Sequence, residues 1–216
     1  TEFLAHMPPE VDAKNFGLSA DHFTSLPKSE KYIFRMPVPP PLDAVRAQLP
    51  NAQSKTAFTY HTASKDAVRF PGGTAKVIDA TDFPATTMSA LIMEIEPGAM
   101  RELHWHPDAD EWQFYMQGQA RMTVFDATRN ARTFNYNPGD VGFVPRTLGH
   151  YIENIGTTPL HVVNVFNTAH YKDLSLNNWM ALTPPDLVRG HLNLDDTVMK
   201  ALRATRQTIV LSLIHI

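Results

Sequence analysis

Between Thr56 and Phe166 the sequence breaks into ten short runs of strand character: TAFTY, TAKVID, TMSALIMEI, the run holding HWH, EWQFYMQ, ARMTVF, ARTFNY, VGFVP, HYIEN and HVVNVF. β-Branched and aromatic residues suit a pleated, half-buried surface, and the Gly, Pro, Asn and Asp between the runs supply turns. So many short antiparallel strands are best accommodated by closing on themselves, which predicts an all-β barrel or jelly roll with short helices at both ends. With 216 residues and 43% hydrophobic content, the chain supports one core of roughly 100–150 residues plus extensions. We expect a leading segment over 1–55, a barrel over 56–170 and a helical extension over 171–210. Residues 211–216, LSLIHI, break an amphipathic pattern with an apolar run. They fit a terminal strand, an apolar contact or a non-native tail, and no function is assigned to them.

The flanks are read from caps and periodicity. Pro8 to Phe16 predicts a short helix closed by Gly17, Ser19 caps a second helix through Leu26, and Lys31 to Arg35 reads as a strand. Seventeen prolines cluster in MPVPPPLDAVRAQLP, where Pro37 and Pro39 to Pro41 favour an extended connector. After His170, SLNNWMALT, PDLVRGHL and DDTVMKALRAT each pair a capping residue with apolar spacing of three and four. There is no cysteine, hence no disulfide, and no run approaches the ~20 apolar residues of a membrane span. A soluble chain follows, its compartment left open between cytoplasmic and secreted.

Two glycine-framed segments carry the chemistry: Gly98-AMREL-His104-Trp105-His106-PDAD-Glu111-WQFYMQ-Gly118, and Gly139-DVGFV-Pro145-RTLG-His150-YIE-Asn154. Side chains alternate along a strand, so His104 and His106 share a face while Trp105 points the other way. Pro107 and the turn residues after it reverse the chain and return Glu111 beside the histidines. The second segment delivers His150 from a different hairpin. Three imidazoles and a carboxylate, with no thiolate, suit Mn, Fe or Zn, and four such ligands on an octahedral ion leave two positions open. His6, His22, His61, His161, His170 and His191 lack such a frame and are read as structural.

These segments resemble the paired motifs of the cupin superfamily. PGAMRELHWHPDADEWQFYMQGQARMTVF, ARTFNYNPGDVGFVPRTLGHYIENIG and HYKDLSLNNWMALTP resemble the second module of bicupin oxalate decarboxylases almost continuously, from about Phe70 to about Leu194. The resemblance implies manganese held by His104, His106, Glu111 and His150, and Arg101 binding the substrate carboxylate. It also implies redox-neutral cleavage of oxalate to formate and carbon dioxide, with dioxygen as a cofactor, and a homo-oligomer built through cupin modules. No nucleic-acid or membrane partner is expected. The opening TEFLAHMPPEVDAKNFGL resembles the stretch that follows the first module's catalytic lid, so the chain reads as the carboxyl-terminal portion of a bicupin.

Charge agrees with a local rather than a global attraction for a dianion, because 19 Lys+Arg stand against 22 Asp+Glu. Arg101, upstream of the first histidine on the same strand, is expected to share its barrel face and to add a guanidinium to the metal's charge. One departure from the family pattern stands out: Asn164 occupies the place of the glutamate expected on the strand HVVNVF. An amide does not exchange protons near neutral pH, so the acid/base residue is unassigned. Glu102 and Glu153 are expected at the solvated surface. Trp105 is expected to pack against a helix, with electron relay as its other reading. Two functional classes follow: an oxalate decarboxylase, or the related oxidase, and a metal-binding structural module without turnover of its own.

Overall fold

The structure, a computed structural model, describes residues 2–49 and 54–211. They fall into two compact units, 1–54 and 55–216. The first holds α1 (Glu2–Ala5), α2 (Pro9–Phe16) and α3 (Leu42–Gln48). The predicted helix at Pro8 is α2: Pro9 sits in its first turn, and Gly17 closes it at φ 68°, donating its N–H to the Ala13 carbonyl. Only a residue without Cβ enters that left-handed region freely.

Three expectations for the first unit are corrected. The helix from Ser19 is a single 3-10 turn, Ala20–Phe23, because the Ser19 hydroxyl turns to the Asp21 carboxylate at 3.4 Å instead of capping a backbone N–H. Lys31 to Arg35 is not a strand; Tyr32, Ile33 and Phe34 are exposed and find no ladder partner among the described residues. The connector is not extended throughout, since Leu42 onward forms α3 directly after Pro41. Proline pre-sets the start of a helix, and Leu, Ala, Arg and Gln then favour its continuation.

The second unit is built from β1 (Val68–Phe70), β2 (Gly73–Ile78), β3 (Ser89–Ile95), β4 (Ala99–Trp105), β5 (Glu111–Gln117), β6 (Ala120–Asp126), β7 (Asn130–Tyr136), β8 (Val141–Val144), β9 (Gly149–Asn154), β10 (Leu160–Phe166), β11 (Leu174–Ser175) and β12 (Ile209–Leu211). Nine of the ten expected runs are strands. TAFTY is not: residues 56–60 carry no strand, and Phe58 is exposed. Pairing order is β1-β2-β3-β10-β5-β8 in one sheet and β11-β4-β9-β6-β7 in the other, with β12 beside β4. The insertion of β10 between β3 and β5 is the crossed connectivity of a jelly roll. Alternation is strict in β3 and β10, where every second residue is buried. Leu91, Met93, Ile95, Val162 and Phe166 thereby meet Tyr115, Met122 and Ile152 in one core. Each such side chain stabilises by roughly 1.5–3 kcal/mol.

One irregularity decides where the chemistry sits. Arg101 and His104 are three residues apart, an odd separation that puts side chains on opposite faces of a regular strand. A bulge in β4 between them shifts the register against β9, so that Arg101 pairs with Ile152 and His104 with His150. Arg101, Glu102 and His104 are consequently all buried. The shared barrel face expected for Arg101 is therefore reached through an extra residue rather than through plain alternation.

After the barrel come α4 (Leu176–Ala181), α5 (Pro185–Leu192) and α6 (Asp196–Ala201). Ser175 accepts from Asn178 N–H to start α4, and Asp195 accepts from Val198 N–H to start α6. The helix expected over DDTVMKALRAT stops at Ala201, and the Arg203 N–H is taken instead by Asn177 Oδ1 at 2.8 Å. The chain then returns as β12, which sets Ile209 against Arg101. Of LSLIHI, Leu211 ends that strand, and the other five residues lie outside those described.

Candidate metal centre

His104 and His106 come from β4 and the residue after it, Glu111 from the first position of β5, and His150 from β9. One ligand atom from each of the four lies within 4.8 Å of the others, and all four residues are buried. The PDAD reversal carries the chain from one sheet to the other, so Glu111 faces the imidazoles across the barrel. His150 is the direct cross-strand partner of His104. Backbone ties hold the two motif turns together: Thr147 N–H donates to the His106 carbonyl at 2.7 Å, and Arg146 N–H donates to Asp110 Oδ1 at 2.9 Å.

The hydrogen bonds reveal what the cluster needs. Each Nδ1 faces a backbone carbonyl: His104 that of Glu102 at 2.7 Å, His106 that of Lys172 at 2.8 Å and His150 that of Leu148 at 3.0 Å. A carbonyl only accepts, so each Nδ1 carries the proton and each Nε2 presents a lone pair. His150 Nε2 lies 2.7 Å and His106 Nε2 3.2 Å from Glu111 Oε2. Burial, then the charges of Arg101, His150 and His106, hold the His104 imidazole well below the ordinary histidine range. Burial alone would raise Glu111; cationic His150 and His106 would hold its carboxyl below the ordinary carboxylate range, the part a metal ion takes over once those rings are neutral. Neutral imidazole lone pairs converging on a carboxylate in a buried interior are a donor set whose chemistry fits a divalent metal. The six other histidines take no part in this cluster.

Arg101 is fully buried but already engaged. Its Nη2 donates to Asp173 and to the Tyr171 hydroxyl, the latter at 3.3 Å, and its Nη1 lies 3.8 Å from Glu102 Oε1. Asp173 also pairs with both terminal nitrogens of Arg206. Burial would raise Asp173, yet the two guanidinium groups keep it ionised below its usual range. Glu102 corrects the expectation of a solvated carboxylate: it is 7% exposed, accepts from Ser175 Oγ at 2.9 Å, and is raised by that burial. Glu153, half-buried, is nearer to what was expected. Asn164 points inward from β10, 1% exposed, with its Oδ1 lacking a protein partner. Its cross-strand neighbours are Leu91 and Gln113. Trp105 faces out and meets Trp179 of α4 edge to face, ring centres 6.3 Å apart.

Sequence reasoning missed Gln113, Tyr171, Asp173 and Arg206. Gln113 carried a usable signal, since it lies two residues beyond Glu111 on the same strand and therefore on the same inward face. Asp173 and Arg206 carried none. They reach Arg101 across the fold, from the ends of β11 and β12.

A profile of the cupin family matches residues 60–200. The chain belongs to the cupin family. Over 97% of its length this cupin is 43% identical to the oxalate decarboxylase of Bacillus subtilis, covering 55% of that protein, and 32% identical to a probable oxalate decarboxylase of Arthroderma benhamiae, covering 52%. A solved structure of the Bacillus subtilis enzyme, from work on its Mn(II) centres, superimposes with a TM-score of 0.88 at 43% identity, covering 97% of this chain and 56% of that one. A germin-like protein of Oryza sativa is 30% identical over 100 residues, 46% of this chain and 45% of that protein. The chain thus spans about half the length of the oxalate decarboxylases it matches. Among the described residues, no helix is long and apolar enough to cross a membrane.

Proposed function

We propose that this cupin is a manganese-binding module of an oxalate decarboxylase, with His104, His106, Glu111 and His150 as the metal ligands. The observation that carries the reading is the convergence of three imidazole lone pairs and one carboxylate, a ligand atom from each lying within 4.8 Å of the others. Likeness to oxalate decarboxylases over nearly the whole chain supports manganese and oxalate. Bound manganese would supply one-electron redox chemistry and a Lewis acid for a carboxylate. The protein's own residues do the rest. Arg101 anchors one carboxylate of oxalate by parallel hydrogen bonds, Asp173 yielding its place on that guanidinium. Phe166, its ring centre 4.6 Å from that of His106, shields the site from water on one side. Asn164 orients the substrate through its free Oδ1 and its amide, and cannot itself move a proton. The apolar outer face formed by Trp112, Phe114, Val141 and Phe143, exposed in this chain, supports a homo-oligomer, which a size measurement in solution tests.

The decisive experiment measures metal content, then formate, carbon dioxide and hydrogen peroxide from oxalate, with and without dioxygen. Formate without peroxide establishes a decarboxylase, peroxide an oxidase. Asn164 and the engaged Arg101 favour a second reading, a module that binds manganese without turnover. Under that reading the loaded chain makes no formate, and Asn164→Glu is the variant that restores it if the missing acid is the cause.

A further inference from the structure

We propose that Gln113 is a positioning residue that restricts Glu111 to a single metal-facing oxygen, and so sets how many metal positions stay open. The inference rests on the metal-centre reading above. Glu111 Oε2 is the oxygen that faces the His150 and His106 nitrogens, at 2.7 and 3.2 Å. Its Oε1 is turned away and accepts from Gln113 Nε2 at 3.0 Å. An amide has two unlike ends, and the reverse orientation would set its oxygen against the carboxylate. The far end fixes the choice: Tyr115 O–H donates to Gln113 Oε1 at 2.7 Å.

Three further contacts hold this relay in place. Glu111, Gln113 and Tyr115 are alternate residues of β5 and share its inward face, all with no measurable exposure. Tyr115 stacks on Tyr136, ring centres 4.3 Å apart, and burial keeps its phenol protonated as a donor well above the ordinary tyrosine range. Across the ladder Gln113 pairs with Gly142 of β8. A Cβ at 142 would stand 2.5 Å from Gln113 Oε1, so the glycine is the space in which the amide lies. On the other flank Gln113 Nε2 lies 3.6 Å from Met122 Sδ. Glu111, Tyr115, Met122 and Gly142 thus hold the amide from four directions.

The consequence is a count of open positions. Three imidazoles and one carboxylate oxygen leave two on a six-coordinate ion, enough for a ligand that binds by two atoms or for two small ligands side by side. A carboxylate free to turn both oxygens inward would leave one. Gln113 thereby protects the second opening without touching substrate.

The test loads Mn(II) into the intact chain and counts exchangeable metal-bound waters by water-proton relaxation. The unaltered chain should show two. Gln113→Leu, similar in volume but without the amide, should show one, with Mn(II) affinity changed about 10–100-fold. Gly142→Ala, which keeps glutamine but displaces its amide, should move the count the same way; Tyr115→Phe, which removes one oxygen atom, should give a mixture. Two waters and unchanged affinity in Gln113→Leu and Tyr115→Phe, both folded by circular dichroism, overturn the inference and leave the metal centre standing. Failure of the unaltered chain to bind Mn(II) overturns the metal centre and this inference with it.

Discussion

Two buried polar clusters share strand β4, one on each side of its bulge, and they balance charge in opposite ways. Downstream, His104 joins His106, His150 and Glu111 in a group whose hydrogens are all spent on backbone carbonyls, leaving lone pairs turned inward. Upstream, Arg101 joins Arg206, Asp173 and Glu102, two cations against two carboxylates, with Tyr171 and Ser175 supplying hydroxyls. The second cluster is complete in charge without any ligand, with Arg101 Nε, Glu102 Oε1 and Arg206 Nε left without hydrogen-bond partners. The first is complete only with a cation. Burial alone therefore does not mark a metal site; what marks it is a buried set of lone pairs around a carboxylate, with no side-chain guanidinium or ammonium paired to it.

The largest effect should come from breaking the complete cluster. Asp173→Asn removes the carboxylate that two guanidinium groups share, and a buried pair that loses one partner typically costs about 3–5 kcal/mol. Urea unfolding of the metal-free chain should show that loss. Glu111→Gln in the other cluster should cost much less in the metal-free chain, since an amide oxygen there can still accept from Gln113 Nε2. A large loss there, or none at Asp173, would reverse the comparison.

How much of this was legible in the sequence follows the same division. The four clustered residues His104, His106, Glu111 and His150 lie in two short segments whose strand alternation and turns are local properties, so spacing was enough to bring them together. Arg101 was located by resemblance, but its face depends on a bulge, and bulges follow from pairing partners that sequence does not display. Asp173 and Arg206 are 72 and 105 residues from Arg101 in the chain, and their meeting depends on β11 and β12 both returning to β4. TAFTY shows the converse error: apolar alternation predicted a strand at residues 56–60, where the structure has none. Its pattern was local, whereas a ladder is not.

A smaller effect separates the clusters by ligand. With Mn(II) at about one hundred times its dissociation constant, the unaltered chain should gain about 2.7 kcal/mol against unfolding. Glu111→Gln should lose that gain, and Asp173→Asn should keep it; thermal melts with and without Mn(II) measure both. Oxalate sharpens the comparison further. If substrate must displace Asp173 from Arg101, then Asp173→Asn should bind oxalate about tenfold more tightly, roughly 1.4 kcal/mol. Equal affinity by calorimetry would make Arg101 a structural residue and move substrate recognition to the metal and Asn164.

The smallest effect is the acid dependence of the complete cluster. Burial works to raise Asp173, but Arg101 and Arg206 leave its folded value lowered, against about 3.9 in an unfolded chain. A carboxyl lowered on folding binds its proton more tightly when unfolded, so its contribution is fully present above the unfolded value and declines as pH falls through the folded one. The stability gap between the unaltered chain and Asp173→Asn should therefore stay level from pH 7 down to about 4 and narrow only below that. Paired urea titrations across this range measure the gap directly. A gap that already narrows between about pH 6 and 5 would mean that desolvation of Asp173 outweighs its two guanidinium partners. The upstream cluster would then be a strained carboxylate held in reserve rather than a balanced network.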